Sequence, residues 1–552
     1  MVGSDQSTSR RTHRFPQTWQ ALEWHRILMA NPRTTFSRDL VHIHERQLDL
    51  LLQQGVFKPI FFYHIVLFFS FPLIGLVIPR RPGTQYVRPL LFAIYLGFAI
   101  EILRSHRALP GGSGYVVGLL TGWWLVWTAT LFVCTDVEHD FQRIERHLVA
   151  EADPPASTSH NTLIETFEND MEWTEEDSES EFELSSKVNP PTTGITKGTD
   201  QHDKLYWQSY PKEFLHRFVW CFSLFFNFRG PDWNWRSSCL GPLPPSVYAQ
   251  LYSGFASRTL YTEDYTAHFN SKDRLRAALA TCLKSYLLLD ILKVVMMRDP
   301  YFRGISAPDP VPPFPFSYFA LFPLVLRLYH CFFGGIYMYF GINFVTSFNP
   351  IIYIGLSLAF PKASRKLTST PLDAPWLYPP TFGPFVSSVL DDGLAGWWGR
   401  FWHQLFRYGF STPARWMLSL LPSSWSADSR VKRITYLVVS FSLSGFVHAC
   451  GSYTQFTDTY PLSGPFLFFF LQSIGVIFED IFKTLISSKV PLAPWVRRTM
   501  NAVGGLWLME PVPISPLRGL GLANGDGWWC WQGTWFHYWS DGTYWGSGFR
   551  VV

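Results

Sequence analysis

ITYLVVSFSLSGFVHACGSY, residues 434–453, is a run of apolar and small side chains with no charged residue and a single imidazole, His448. Roughly 20 mostly apolar residues cross the hydrocarbon core of a bilayer as a helix, so this stretch places the chain in a membrane. Working outward, comparable runs lie at 59–79 (PIFFYHIVLFFSFPLIGLVIP), 86–104 and 115–134 (YVVGLLTGWWLVWTATLFVC). Others lie at 275–297, 316–338, 340–360 and 463–486, with a weaker one at 498–512. The apolar segment 218–228 (FVWCFSLFFNF) is too short to span easily and reads as interfacial or re-entrant. Lipid offers backbone N–H and C=O groups no partner, so the spans must be helices. The expected fold is all-α, a polytopic membrane protein with eight or nine transmembrane helices.

Composition agrees. The chain is 47% hydrophobic and only 16% charged, against about 25% charged in soluble domains. A net charge of +4 over 552 residues gives no reason to expect a nucleic-acid partner. Seven scattered cysteines with no CxxC pair argue against a disulfide framework and against a metal site. Five regions follow: a polar N-terminal segment (1–58), N-terminal transmembrane helices (59–134), an acidic loop (135–209), the main membrane region (210–512) and an aromatic tail (513–552). In the loop, sixteen Asp or Glu face two Arg between Asp136 and Glu183, and Ser, Thr, Pro and Gly follow. Such a stretch buries little apolar surface and is expected to be largely disordered. The tail, dense in Trp at 526–545, is either an interfacial belt or wrongly translated sequence, and carries no assigned function. Basic residues flank the first span on both sides, which leaves the orientation open.

Two stretches carry chemistry. In PWLYPPTFGPFVSSVLDDGLAGWWGRFWHQLFR (375–407) the first half is too rich in Pro and Gly for a continuous helix. The second half, read as a helix, puts Trp398, Phe401 and Trp402 on one face. Arg400, His403, Gln404 and Arg407 then form a cationic, hydrogen-bonding stripe on another. Taken alone, that pattern equally describes an interfacial anchor. In 434–453, His448 shares a helical face with Phe441, Gly445, Ala449 and Ser452, and an ionisable side chain at membrane depth is a functional candidate by default. His64 and His330 also lie in apolar runs, so location alone does not separate the three.

What separates them is a resemblance. WWGRFWHQ (397–404), followed about 45 residues later by SGFVHACG (444–451), resembles the wax synthase branch of the membrane-bound O-acyltransferase (MBOAT) superfamily. YPPTFG (378–383), RGPDWNWR (229–236) and the acidic pair Glu479–Asp480 agree with it. The likeness covers roughly 210–512. It departs from the pattern at Trp397 and Phe401, where Phe and Arg are usual, and at Ala449, where plant members have Glu.

The resemblance implies an MBOAT-like fold and an acyl-CoA-dependent O-acyltransferase in which His448 is the general base and His403 its catalytic companion. A neutral imidazole takes the proton of an alcohol attacking a thioester. Arg400 and Arg407, with Trp398 and Trp402, are expected to bind the CoA donor, since a guanidinium grips phosphate bidentately. Glu479 and Asp480 would orient His448 or a neighbouring helix, or be paired structural residues. The box 229–236 and the WHQ ending resemble fungal acetyltransferases of natural-product pathways. The expected reaction therefore uses acetyl-CoA, a lipophilic terpenoid-type alcohol and no metal or prosthetic group, in a multi-pass protein of the endoplasmic reticulum. The competing expectations are a long-chain acyl-CoA wax-ester synthase and a membrane transporter with a His/acid proton relay.

Overall fold

The computed structural model describes residues 45–46, 48–108, 114–147, 204–252, 270–299, 301–302, 311–455, 461–487 and 493–509. The aromatic tail and the acidic residues 148–203 lie outside the described residues.

The chain is a helical membrane protein. Among the described residues four helices are long and apolar enough to cross a bilayer: Tyr115–Cys134, Pro323–Ala359, Ser429–Tyr453 and Leu462–Leu485. In chain order the main helices are α1 (Phe62–Val77), α2 (Val87–Ser105), α3 (Tyr115–Ala129), α4 (Phe214–Phe225), α5 (Ser271–Arg298), α6 (Pro323–Ala359), α7 (Arg407–Ser419), α8 (Ser429–Tyr453), α9 (Leu467–Ser487) and α10 (Pro494–Met509). A π-helical turn, Thr130–Cys134, continues α3, and another, Leu462–Phe466, precedes α9.

One sequence expectation changes. The runs 316–338 and 340–360 do not form two spans. Residues Phe316–Leu321 make a 3₁₀ turn and Pro323–Ala359 is one helix of 37 residues. Pro323 at the first helical turn sets its start, because the residue before a proline is held extended and Phe322 is so held (φ −126°, ψ 96°). Nothing near Tyr339 breaks the helix. The acidic loop 135–209 also has ordered ends. Arg143–His147 (β1) and Lys204–Gln208 (β2) pair antiparallel, Arg143 opposite Gln208 and His147 opposite Lys204.

The core is aromatic. Trp123, Trp124 and Trp127 of α3 pack with Trp220 and Phe225 of α4 and with Trp233 and Trp235 of the 229–236 box. The Trp127 indole N–H donates to the Phe225 carbonyl at 3.0 Å, so the polar end of this fully buried ring is satisfied. Against α3 lies α8, and the approach is close because Gly118 has no side chain. A Cβ there would stand 1.9 Å from the Cys450 carbonyl oxygen. Small residues let membrane helices meet backbone to backbone in this way. The contact brings the N-terminal helices against the helix that carries His448.

Candidate active site

His448 projects from the last third of α8. Its ring is stacked on Phe469 of α9, centroids 4.5 Å apart and planes 16° from parallel. Its Nδ1 lies 2.7 Å from the hydroxyl of Tyr115, the first residue of α3. Three helices thus fix one imidazole.

His403 arrives differently. The helix expected over 397–407 does not form. Trp397–Phe401 is a single π-helical turn, Trp402 is extended (φ −63°, ψ 148°), and α7 starts only at Arg407. The Trp402 N–H reaches back to the Trp397 carbonyl at 2.8 Å. An α-helix would have directed it to Trp398. The carbonyls so released are taken by side chains: the Gln404 amide donates to the Trp398 and Trp402 oxygens (2.8 and 2.6 Å), and Arg407 donates to the Gly399 oxygen at 2.5 Å. The cationic stripe is therefore absent, and His403 sits in a loop ringed by Trp402, Phe406 and Phe382. Its Nδ1 is buried without a hydrogen-bond partner. Burial, reinforced by the nearby Arg229 guanidinium, pushes its pKa down to about 4. His403 and His448 lie within electrostatic reach of each other.

The lead-in 378–383 is fastened to this loop. Gly383 N–H donates to the Phe401 carbonyl at 3.0 Å, and a side chain at Gly383 would collide with the Arg400 backbone. Arg229 donates to the Pro379 and Pro380 carbonyls at 3.3 and 2.7 Å, joining the 229–236 box to the lead-in. Arg236 instead donates within its own loop, to the Pro231, Leu240 and Gly241 oxygens.

The remaining expected site residues divide. Trp398 donates to the Gln472 side chain at 3.1 Å and packs edge-on against Phe441 and Phe469. It buttresses the ring on which His448 lies. Trp402 packs between Trp397 and Phe382. Arg400 is largely exposed and ion-paired with Asp392, and Arg407 is engaged with Gly399 and Gln404. Glu479 does not reach His448. It accepts the backbone N–H groups of Leu394 and Ala395 at 3.0 and 2.9 Å and neighbours Lys483. Asp480 pairs with Arg433 at the start of α8, 2.5 Å away. Both carboxylates fasten helices, which is the structural alternative. Tyr115, Phe469, Gln472 and the position of Arg229 beside His403 carried no sequence signal, because each partner comes from a distant helix or loop. Among the described residues no three His, Cys, Asp or Glu side chains converge as a metal site would require.

The described chain is thus a helical membrane protein with two buried imidazoles within electrostatic reach of each other beside aromatic rings. Residues 378–471, which hold both histidines, match the model of the membrane bound O-acyl transferase family. Among similar proteins is the O-Mevalon transferase macI of Penicillium terrestre, 28% identical over 275 residues (48% of this chain, 53% of that one). The O-Mevalon transferase yanI of Aspergillus niger is 26% identical over 284 residues (48% and 52%). The acetyltransferase fsoF of Humicola fuscoatra is 31% identical over 163 residues (29% and 34%). The aligned part of the chain spans about half the length of the two O-Mevalon transferases. No solved structure matches the chain.

Proposed function

We propose that this protein is an acyl-CoA-dependent O-acyltransferase that moves an acetyl group from acetyl-CoA to a hydroxyl of a lipophilic, terpenoid-type alcohol. The observation that carries the reading is that His448, from a helix, and His403, from a loop, lie within electrostatic reach of each other inside the segment that matches the acyltransferase family. His448 takes the proton of the alcohol as its oxygen attacks the thioester carbonyl, an effect typically worth about 10²–10⁴-fold. His403, held neutral, has one N–H to offer the oxyanion that develops on that carbonyl. We assign Arg400, exposed on the π turn, and Arg407, half-buried at the start of α7, together with Trp398 and Trp402, to the CoA end of the donor. The endoplasmic reticulum membrane is the compartment this reading implies.

A second reading concerns the acyl group. Two relatives matched over about half of this chain are named O-Mevalon transferase, which makes a mevalon group the alternative to acetyl. Microsomes carrying the protein, given labelled acetyl-CoA and palmitoyl-CoA in competition with a panel of terpenoid alcohols, test the proposal. Acetyl esters are expected. Exclusive use of palmitoyl-CoA makes the protein a wax-ester synthase instead, and no ester from either donor leaves the mevalon reading or transport.

A further inference from the structure

Tyr115 is held with more precision than packing of an apolar helix requires. Its ring is 1% exposed, and it occupies the space where Gly451 has no side chain; a Cβ at Gly451 would stand 2.7 Å from it. Thr454 clamps the helix end beside it. The Thr454 hydroxyl donates to the Gly114 carbonyl at 2.9 Å and accepts from the Gly118 N–H at 3.0 Å. The phenol oxygen then meets His448 Nδ1 at 2.7 Å while Phe469 covers one face of the imidazole. A neutral imidazole carries one N–H and one lone pair, and only the nitrogen with the lone pair can act as a base.

We propose that Tyr115 is a positioning residue for the transfer step. Its oxygen accepts the Nδ1–H of His448, which fixes the ring plane and leaves the lone pair on Nε2, where the alcohol delivers its proton. This rests on the reading of His448 as the base. As the alcohol oxygen bonds to the acyl carbon, its proton goes to Nε2 and the C–S electron pair leaves with the CoA sulfur. The proton then passes from Nε2 to that thiolate, and His448 is neutral again. The Nδ1–H···O bond strengthens while the ring is charged, because a charged donor makes the stronger hydrogen bond. One consequence is that the site includes a residue 333 positions before His448 and outside the 378–471 segment.

Tyr115→Phe keeps the ring and removes the oxygen. In the full-length protein in microsomes, with labelled acetyl-CoA and the alcohol of the panel that is esterified fastest, kcat is expected to fall roughly 10–100-fold, as loss of an outer hydrogen-bond partner does elsewhere. KM for both substrates is expected to stay within about twofold, since the interaction strengthens only in the transition state. A wild-type kcat in folded Tyr115→Phe, or a raised KM with kcat unchanged, overturns the assignment. His448→Gln is run beside it. Retained transfer there removes the base and Tyr115's role together, whereas loss there with full kcat in Tyr115→Phe removes only the Tyr115 role. If Tyr115→Phe does not accumulate, Gly451→Ala displaces the ring while keeping its hydroxyl. A lowered kcat at constant KM then supports the proposal, and a wild-type kcat refutes it.

Discussion

His448 and His330 begin alike in the sequence and end differently in the fold. Each is a lone imidazole in an apolar run. His330, on α6, has its Nε2 3.2 Å from the fully buried carboxylate of Asp299, which caps the end of α5. Its ring is stacked on Tyr301 at 3.8 Å and meets Phe302 edge-on. This is a closed pair that ties the end of α5 to α6. His448 is set in a different frame. Its partner is a phenol, its second neighbour is another imidazole, and its face rests on one aromatic ring. The lesson is that burial of a histidine says little until its partner is named. A buried carboxylate ties His330 into a joint between helices, whereas a phenol beside His448 is compatible with the base proposed above.

The sharpest way to break this contrast is to remove each ring. His448→Ala is expected to lower acyl transfer by about 10²–10⁴-fold in protein that still folds, the usual contribution of a positioned base. Transfer assays normalised to folded protein check it, and activity within a few-fold of wild type would place His448 with His330 as a joint. His330→Ala should do the reverse. It removes one hydrogen-bond partner of the buried Asp299 carboxylate, which keeps the Tyr301 N–H at 2.9 Å; such a loss typically costs about 1–3 kcal/mol. A drop in thermal stability in detergent is expected, with transfer per folded molecule close to wild type.

A smaller effect sharpens the contrast between carboxylates that build and groups that react. Glu479 accepts two backbone N–H groups at the turn before Trp397. Glu479→Gln weakens two charge-assisted bonds, each worth about 1.5–3 kcal/mol with a charged acceptor, while keeping one acceptor oxygen. A loss of about 1–2 kcal/mol is therefore expected, with kcat per folded enzyme little changed. A kcat collapse without destabilisation would return Glu479 to the neighbourhood of His448.

How much of this was legible beforehand follows the range of each interaction. Apolar length located α3, α8 and α9, since crossing a bilayer needs a continuous run and nothing distant. The two histidines were legible through WWGRFWHQ and its spacing to SGFVHACG. The helix over 397–407 was misread because side-chain periodicity presumes an α-helical backbone. The π turn, with Gln404 and Arg407 serving its carbonyls, breaks that periodicity just before His403. The division at Tyr339 failed because apolar length alone suggested two spans where the backbone runs unbroken. Tyr115 could not be found, since a tyrosine opening an apolar helix looks the same whether or not an imidazole stands 2.7 Å away.

The smallest expected effect concerns His403, which belongs with His448 by position and is set apart by its titration. Its folded pKa is about 4 against an ordinary 6.5. Between those values the unfolded chain binds a proton that the folded chain refuses, so lowering the pH through 6.5 towards 4 favours unfolding. Above about pH 6.5 the group is neutral in both states and contributes no pH dependence. His403→Asn keeps a polar side chain without a titrating ring. Its melting temperature in detergent should therefore fall less than that of wild type between pH 7 and pH 5. Equal falls would mean that His403 is protonated in the folded protein near its ordinary value, and a charged imidazole there would repel a proton on His448 just when the base needs to accept one.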